Sequence, residues 1–499
     1  MKKMNLDMPI LAIQLFESPR TSNELFEVIS ADAILVRADY FENDDEIKRI
    51  SLAKGFKIYS LRSEQEGGKY NGTLEQRHSQ LIEALNDYDL IELEANTDLT
   101  SDVLRMIPAD RRLISWSGRA ESFEELEACF LHMSGFEAKY YQCINSPQNI
   151  SECLWPLQLL KKYPKKNLIS FAGGAIGVWT QILSLFLKSP IVYGKLNKNE
   201  HNECFLLHEQ IREDYDLSPS RNLKHVFGIA GNPVFSSMSP QIHNHCYKVL
   251  GMDALYLPFH IENFDEFWKF ISIDFPSSGL DFTLGGFTMV SPFKEESYKI
   301  AKSHLCSATK LSKACNILIN KDGEWYSDSS DGLGVLAALE EESIKLKNLK
   351  VAIIGCGGAG RTIASRLKSE GADIVFYNRS EDRGQFAASL LDLPFKLISE
   401  FEASTYDIVI NATPVGKHGK KLIFDPASLK STSLAIDMAY AKEDTLLVSR
   451  CHKSDKKIIE GKQILLHQVK KQFLGLTGRD MPMEVENMVR QKTENLLKM

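Results

Sequence analysis

An apolar run that breaks into closely spaced glycines constrains this chain more than any other feature. Residues 350–361 read KVAIIGCGGAGR. Val351 to Ile354 predict a buried parallel strand. Gly355-x-Gly357-x-x-Gly360, with Gly358 inside it, predicts a tight turn, and the residues that follow predict a helix. Bare of side chains, such a turn lets backbone N–H groups approach a pyrophosphate at the helix N-terminus. Glycine turns between strand and helix are common, so the context carries the argument. A second strand is expected over Asp373 to Tyr377, and it ends in Asn378-Arg379-Ser380. That is roughly 20 residues after the glycines, where an NAD-binding chain carries an acidic residue for the ribose hydroxyl. An arginine suits a 2′-phosphate instead, through its planar and always charged fork. The expected cofactor is NADP.

At 499 residues the chain exceeds one typical core, so two or three domains are expected. Its net charge of −7 points to no nucleic-acid or anionic-membrane partner. The nine cysteines have neither CxxC nor Cys/His spacing, which argues against a metal site and against a disulfide framework. The opening MKKMNLDMPI has no long apolar stretch behind it, and the apolar run Ile182 to Phe186 is too short to span a bilayer. A cytoplasmic location is expected.

Up to residue 216, strand-like and helix-like segments alternate. Strands are expected at 9–15, Ala33–Arg37, Lys57–Leu61, Leu90–Glu94, Leu113–Trp116, Tyr140–Ile144, Asn167–Phe171 and Pro190–Tyr193. This is the content of a (β/α)8 barrel, although periodicity alone fits a large open sheet as well. The polar stretch DYDLSPSRNLK (214–224) reads as a linker, expected over 217–225, with a new strand over Val226–Ala230. A small α/β domain over 226–330 and a Rossmann domain over 331–462 follow, the latter with further strands at Asp407–Ile410, Leu434–Met438 and Lys457–Ile459. Helices are expected from 463 to 499, returning to the small domain.

Several motifs lie in one order beyond the linker: GIAGNPVFSSMSPQIHN (228–244), GFTMVSPFK (286–294), Ala314-Cys315-Asn316, Ser330-Asp331-Gly332-x-Gly334 and the glycine loop. Ile410-Asn411-Ala412-Thr413-Pro414-Val415-Gly416, Asp437-Met438-Ala439-Tyr440 and Leu465-Leu466-His467-Gln468 complete the series. The set resembles shikimate dehydrogenase from residue 226 to about 480. Reducing a ketone on a polyhydroxylated acid needs a proton donor at the carbonyl, and an ammonium beside a carboxylate provides one. The resemblance implies Lys294 as acid/base and Asp331 as the group that binds the substrate hydroxyl beside it. It implies substrate contacts from Ser237, Ser239, Asn316, Tyr440 and Gln468. Cofactor contacts are expected from Gly355, Gly357, Gly358, Gly360, Asn378, Arg379, Ser380, Asn411, Thr413 and Gly461. The chain also departs from the family. Val290 stands where a hydrogen-bonding threonine is usual, and Ser329-Ser330 replace Asn-Thr before the aspartate.

The first portion resembles type I 3-dehydroquinate dehydratase. The carriers are Val36-Arg37-x-Asp39, Leu61-Arg62, Glu66-Gly67-Gly68, Ile91-Glu92-Leu93, Ile114-Ser115-Trp116 and Gly174-x-x-Gly177. The same fusion occurs in bifunctional plant and chlamydial shikimate-pathway enzymes. That chemistry needs a lysine to form a Schiff base and a histidine to move protons. The lysine position falls on Gln142, the histidine on Ser117, a glutamate on Leu35 and an arginine on Gln181, after Thr180. Lys139 lies three positions from Gln142, on the other side of a strand. Arg37, Arg62 and Glu66 remain as a residual anion site. The expected protein is an NADP-dependent shikimate dehydrogenase acting on a small-molecule substrate, behind a barrel without dehydratase activity; a homodimer is one option for its assembly. The alternatives are a fully bifunctional enzyme, a quinate/shikimate dehydrogenase of relaxed specificity, and a non-catalytic NADP- or metabolite-binding protein.

Overall fold

The computed structural model describes residues 9–42, 46–47, 50, 55–164, 166–197, 206–217, 222–417, 421–440 and 444–496. Two compact units emerge, one of residues 1–225 with 257–283, the other of 226–256 with 284–499. Of the expected linker, residues 218–221 lie outside the described residues.

Eight parallel strands build the first unit: β1 (Ile10–Leu15), β2 (Ala33–Arg37), β3 (Phe56–Ser60), β4 (Leu90–Glu94), β5 (Arg112–Gly118), β6 (Tyr140–Asn145), β7 (Leu168–Ala172) and β8 (Ile191–Lys195). Each strand from β1 to β6 pairs with the next, and β8 returns to pair with β1, so the sheet closes except at the β7–β8 seam. Period-2 patterning explains the two apolar layers. Ile10, Ala12, Ala33, Leu35, Ile58, Leu90, Leu113, Tyr140, Ile169, Phe171, Ile191 and Tyr193 fill the interior as one cluster. Their neighbours of opposite parity, Ile13, Leu15, Ile34, Val36, Ile91 and Leu93, pack in a separate cluster. This is the barrel expected from the strand pattern, and the alternative of an open sheet does not hold.

Residues 257–283 group with the barrel for a visible reason. Trp179, in the helix Gly174–Phe186, stacks on Phe259 at 5.0 Å and meets Phe270 at 5.5 Å. Gln158 Nε2 donates to the Ser278 carbonyl at 3.0 Å, and Lys161 pairs with Asp281 at 2.6 Å.

The following sheet is mixed and runs β10 (Ala254–His260), β9 (His225–Gly231), β11 (Thr283–Met289), β13 (Ile317–Lys321), β14 (Glu324–Asp328), β12 (Ser303–His304). The last sheet is parallel throughout and runs β17 (Phe395–Leu397), β16 (Asp373–Asn378), β15 (Lys350–Ile354), β18 (Ile408–Asn411), β19 (Leu434–Asp437), β20 (Lys457–Ile459). Its strand order reverses between β15 and β18, which is where doubly wound sheets bind ligands. The helices Gly461–Thr477 and Met483–Leu496 end the chain, and Leu465, Val469, Phe473, Val485 and Val489 pack into one core with Phe227, Ile229 and Ile317. Among the described residues no helix is long and apolar enough to cross a membrane.

Candidate active site

Three side chains from separate elements converge on one carboxylate, that of Asp331. Asp331 opens the helix Asp331–Glu341, straight after β14. Lys294 opens the helix Lys294–Ile300, and its Nζ donates to Asp331 Oδ2 at 2.6 Å. Asn316, just ahead of β13, and Gln468, within the helix Gly461–Thr477, each donate to Asp331 Oδ1 at 3.0 Å. Lys294 is 16% exposed and Asp331 4%. A ligand therefore meets the ammonium first, with the carboxylate behind it. Charge-assisted bonds of this length are the strong class.

A second layer went unread in the sequence. Gln472 Nε2 donates to Ser330 Oγ at 3.0 Å, and the same oxygen accepts from Asn316 Nδ2 at 2.9 Å. Asn316 Oδ1 in turn accepts from the Ser330 N–H at 2.8 Å. Gln472 lies one helical turn beyond Gln468 and so shares its face, which is the signal that could have found it. Ser239 N donates to Ser237 Oγ at 3.2 Å in the turn after β9. Tyr440 bonds the Ser237 side chain; burial raises its phenol pKa and that bond opposes the rise. Val290 packs against the apolar core. Ser329 Oγ is buried without a hydrogen-bond partner among the described residues.

Beside this hub lies the glycine turn. Gly355 has φ +112°, and a Cβ at Gly360 would sit 1.9 Å from the Gly355 carbonyl oxygen, so both positions need glycine. Gly357 caps the helix Gly358–Ser369 with no side-chain bond, and a Cβ there would meet open space. The first N–H groups of that helix are thus left for a ligand. A Cβ at Gly358 would lie 3.0 Å from the Lys294 Cβ, which brings the turn against the Lys294–Asp331 pair. Arg379 is exposed and has no ion pair among the described residues. Asn378 Nδ2 donates to the Ser380 carbonyl at 2.9 Å, and Ser380 caps the helix Glu381–Leu391. Donors, open space and a free guanidinium fit a phosphorylated dinucleotide.

Gly461 is tight because a Cβ would meet the Ala439 carbonyl oxygen at 2.5 Å. Asn411, expected as a cofactor contact, lies at the end of β18. It is fully buried, and its amide donates to Asp437 Oδ1 at 2.9 Å and to the Val415 carbonyl at 3.2 Å. Its Oδ1 accepts from Thr413 N and Thr413 Oγ1 at 3.1 and 2.7 Å. Its side chain braces the loop after β18.

The barrel mouth holds a second polar cluster. Arg62 pairs with Glu92 at 2.9 Å, and Gln142 Nε2 donates to the same Glu92 oxygen at 3.2 Å. Tyr193 donates through its hydroxyl to Gln142 Oε1 at 2.7 Å. Burial works against the Glu92 carboxylate, yet Arg62 holds it below its ordinary range. Glu66 accepts from the Ser117 N–H at 2.9 Å; burial, then the Glu94 charge, pushes it up to about 8. Arg37 pairs with Asp39 at 2.7 Å between the rings of Phe16 and Tyr40. Of the expected residual anion site, both arginines are thus paired with carboxylates. The Lys139 ammonium lies over the rings of Phe56 and Tyr140, at the start of β3 and β6, away from Gln142.

Family models match three successive stretches: type I 3-dehydroquinase over residues 13–220, the shikimate dehydrogenase substrate binding domain over 229–318, and the NAD binding domain of D-isomer specific 2-hydroxyacid dehydrogenase over 318–440. A shikimate dehydrogenase (NADP(+)) of Methanothrix thermoacetophila is 30% identical over 264 residues, covering 52% of this chain and 94% of the relative. The chain belongs to the shikimate dehydrogenase family. Ahead of its shikimate dehydrogenase part it carries a type I 3-dehydroquinase-like barrel. The chloroplastic bifunctional 3-dehydroquinate dehydratase/shikimate dehydrogenase of Arabidopsis thaliana has the same fusion, at 23% identity over 92% of this chain and 79% of the relative. A crystal structure of a shikimate dehydrogenase in complex with NADP+ is 27% identical, with a TM-score of 0.48, covering 55% of this chain and 98% of that one.

Proposed function

We propose that this chain reduces 3-dehydroshikimate to shikimate with NADPH and that its barrel lacks dehydratase activity. The observation that carries the first part is the Lys294–Asp331 pair at 2.6 Å, set against the helix that begins at the glycine turn. The N–H groups after Gly357 would take the pyrophosphate, and Arg379 the 2′-phosphate. The reduced nicotinamide supplies the hydride when bound. Lys294 gives its proton to the substrate oxygen as negative charge gathers there. Asp331 holds the ammonium in its aim, and Asn316 and Gln468 fix the carboxylate that does so. Ser237 and Ser239 are the donors for the substrate carboxylate, with Tyr440 beside them.

The barrel reading rests on Gln142, since an amide cannot form an imine and Gln142 is already engaged by Glu92 and Tyr193. The domain division that goes with this function is a barrel over 1–216, a substrate-binding domain over 226–330, a Rossmann domain over 331–462 and closing helices. NADPH oxidation by the purified chain tests both parts. Turnover is expected with 3-dehydroshikimate and none with 3-dehydroquinate. No turnover with the first would overturn the dehydrogenase reading. Shikimate formed from the second would overturn the inactive barrel.

A further inference from the structure

Two arginines close in sequence to the glycine turn and to Arg379 share an acidic neighbour that the reaction does not require. Glu295 follows Lys294, and its Oε1 lies 3.2 Å from Arg361 Nη1 and 3.2 Å from Arg383 Nη2. The two guanidinium groups differ in freedom. Arg361 is buried, donates from Nε to the Ser312 carbonyl at 2.9 Å and lies over the Phe386 ring at 5.3 Å. Arg383 has a side chain 64% exposed and belongs to the first turn of the helix Glu381–Leu391, one turn beyond Arg379. The fixed arginine therefore anchors the carboxylate, and the carboxylate draws the mobile arginine toward it.

Resting on the NADP reading above, we infer that Glu295 is a specificity-determining residue that competes with the 2′-phosphate of the cofactor for Arg383. A phosphate dianion gains most from a guanidinium free to meet it in a forked geometry. Here that guanidinium is shared with a carboxylate which Arg361 keeps from moving away, and the carboxylate repels the phosphate as well. A nucleotide with a free 2′-hydroxyl brings no charge to the place and is indifferent to Glu295. The chain thus holds its preference for the phosphorylated cofactor below what Arg379 and Arg383 alone would give.

Calorimetric titration of the full chain with 2′,5′-ADP and with 5′-AMP tests this without any turnover. Glu295→Gln is expected to tighten 2′,5′-ADP by roughly two- to fivefold, the range of one exposed ion pair, and to leave 5′-AMP unchanged. The gain should shrink at high salt and vanish when Arg383→Ala is already present. Unchanged or weaker 2′,5′-ADP binding by Glu295→Gln overturns the inference, and so does an equal shift for both nucleotides or a gain that survives Arg383→Ala. An unsubstituted chain that binds 2′,5′-ADP no better than 5′-AMP overturns the NADP reading itself, and this inference with it.

Discussion

At Asp331 one carboxylate oxygen takes the Lys294 ammonium at 2.6 Å and the other takes the amides of Asn316 and Gln468 at 3.0 Å each. Both oxygens are occupied, so the ammonium is the group left to act on a ligand. Lys294→Ala keeps the Cβ that packs near Gly358 and removes only the proton donor. It should lower kcat by about two to four orders of magnitude while leaving 2′,5′-ADP affinity unchanged. Steady-state kinetics and titration of the same preparation check this, and a parallel loss of both would point to misfolding instead. Glu66 makes a different prediction. Its pKa rises from 4.5 to about 8 in the fold, so the folded chain holds a proton that the unfolded chain releases. The associated stability is fully present below pH 4.5 and is lost as pH rises through about 8. At about 1.4 kcal/mol per unit the loss is at most about 5 kcal/mol. Thermal melts from pH 5 to 8.5 should show barrel stability falling in the native chain and a flatter profile in Glu66→Gln. Parallel profiles would show that another group carries the slope.

Among the elements, the β15–turn–helix unit was legible because its signal is local. An apolar run, glycines at fixed offsets and a helical pattern all fall within residues 350–369. The barrel strands were legible for the same reason, and β3 differs from expectation by one residue, Phe56–Ser60 against Lys57–Leu61. Contacts made at a distance were not legible. Gln472 meets Ser330 across 142 residues of chain, and nothing near Asn411 announces that Asp437, 26 positions on, takes its amide. A motif shows which residue types recur, while burial decides whether one faces a ligand or braces a loop. Gly360 is where a local reading makes a strong prediction. The atom nearest an added Cβ would be the Gly355 carbonyl oxygen, at 1.9 Å, and neither backbone can yield without moving the helix from the strand. Gly360→Ala should cost about 1–3 kcal/mol in stability, as overpacking does, and should weaken 2′,5′-ADP and 5′-AMP together because the shared N–H groups shift. Denaturant unfolding with titration measures both. Loss of 2′,5′-ADP binding alone would contradict a role in the turn.

For the whole molecule, the barrel separates what keeps a fold from what keeps a reaction. Its interior layer from Ile10 to Tyr193 is continuous and apolar, and barrel stability resides in such layers whereas chemistry resides at the C-terminal ends of the strands. On the proposed reading the layer is kept while the chemistry is replaced. Gln142 is bound between Glu92 and Tyr193, Ser117 offers a backbone N–H to Glu66 in place of an imidazole, and Leu35 belongs to the apolar layer itself. On that reading Gln142 is hydrogen-bonded and Leu35 is buried among apolar neighbours where they stand, so neither position disturbs the barrel. Two outcomes follow together. Incubation of the full chain with 3-dehydroquinate and borohydride should leave its intact mass unchanged, because the barrel mouth offers no amine at Gln142 to form an imine. Gln142→Ala should leave turnover of 3-dehydroshikimate as it is, since that chemistry rests on Lys294 and Asp331. A borohydride-stable adduct in the native chain would show that another lysine has taken over imine formation, and peptide mapping would name it. A fall in 3-dehydroshikimate turnover on Gln142→Ala would show instead that the barrel mouth supports the second reaction, and the separation of fold from chemistry argued for the barrel would then fail.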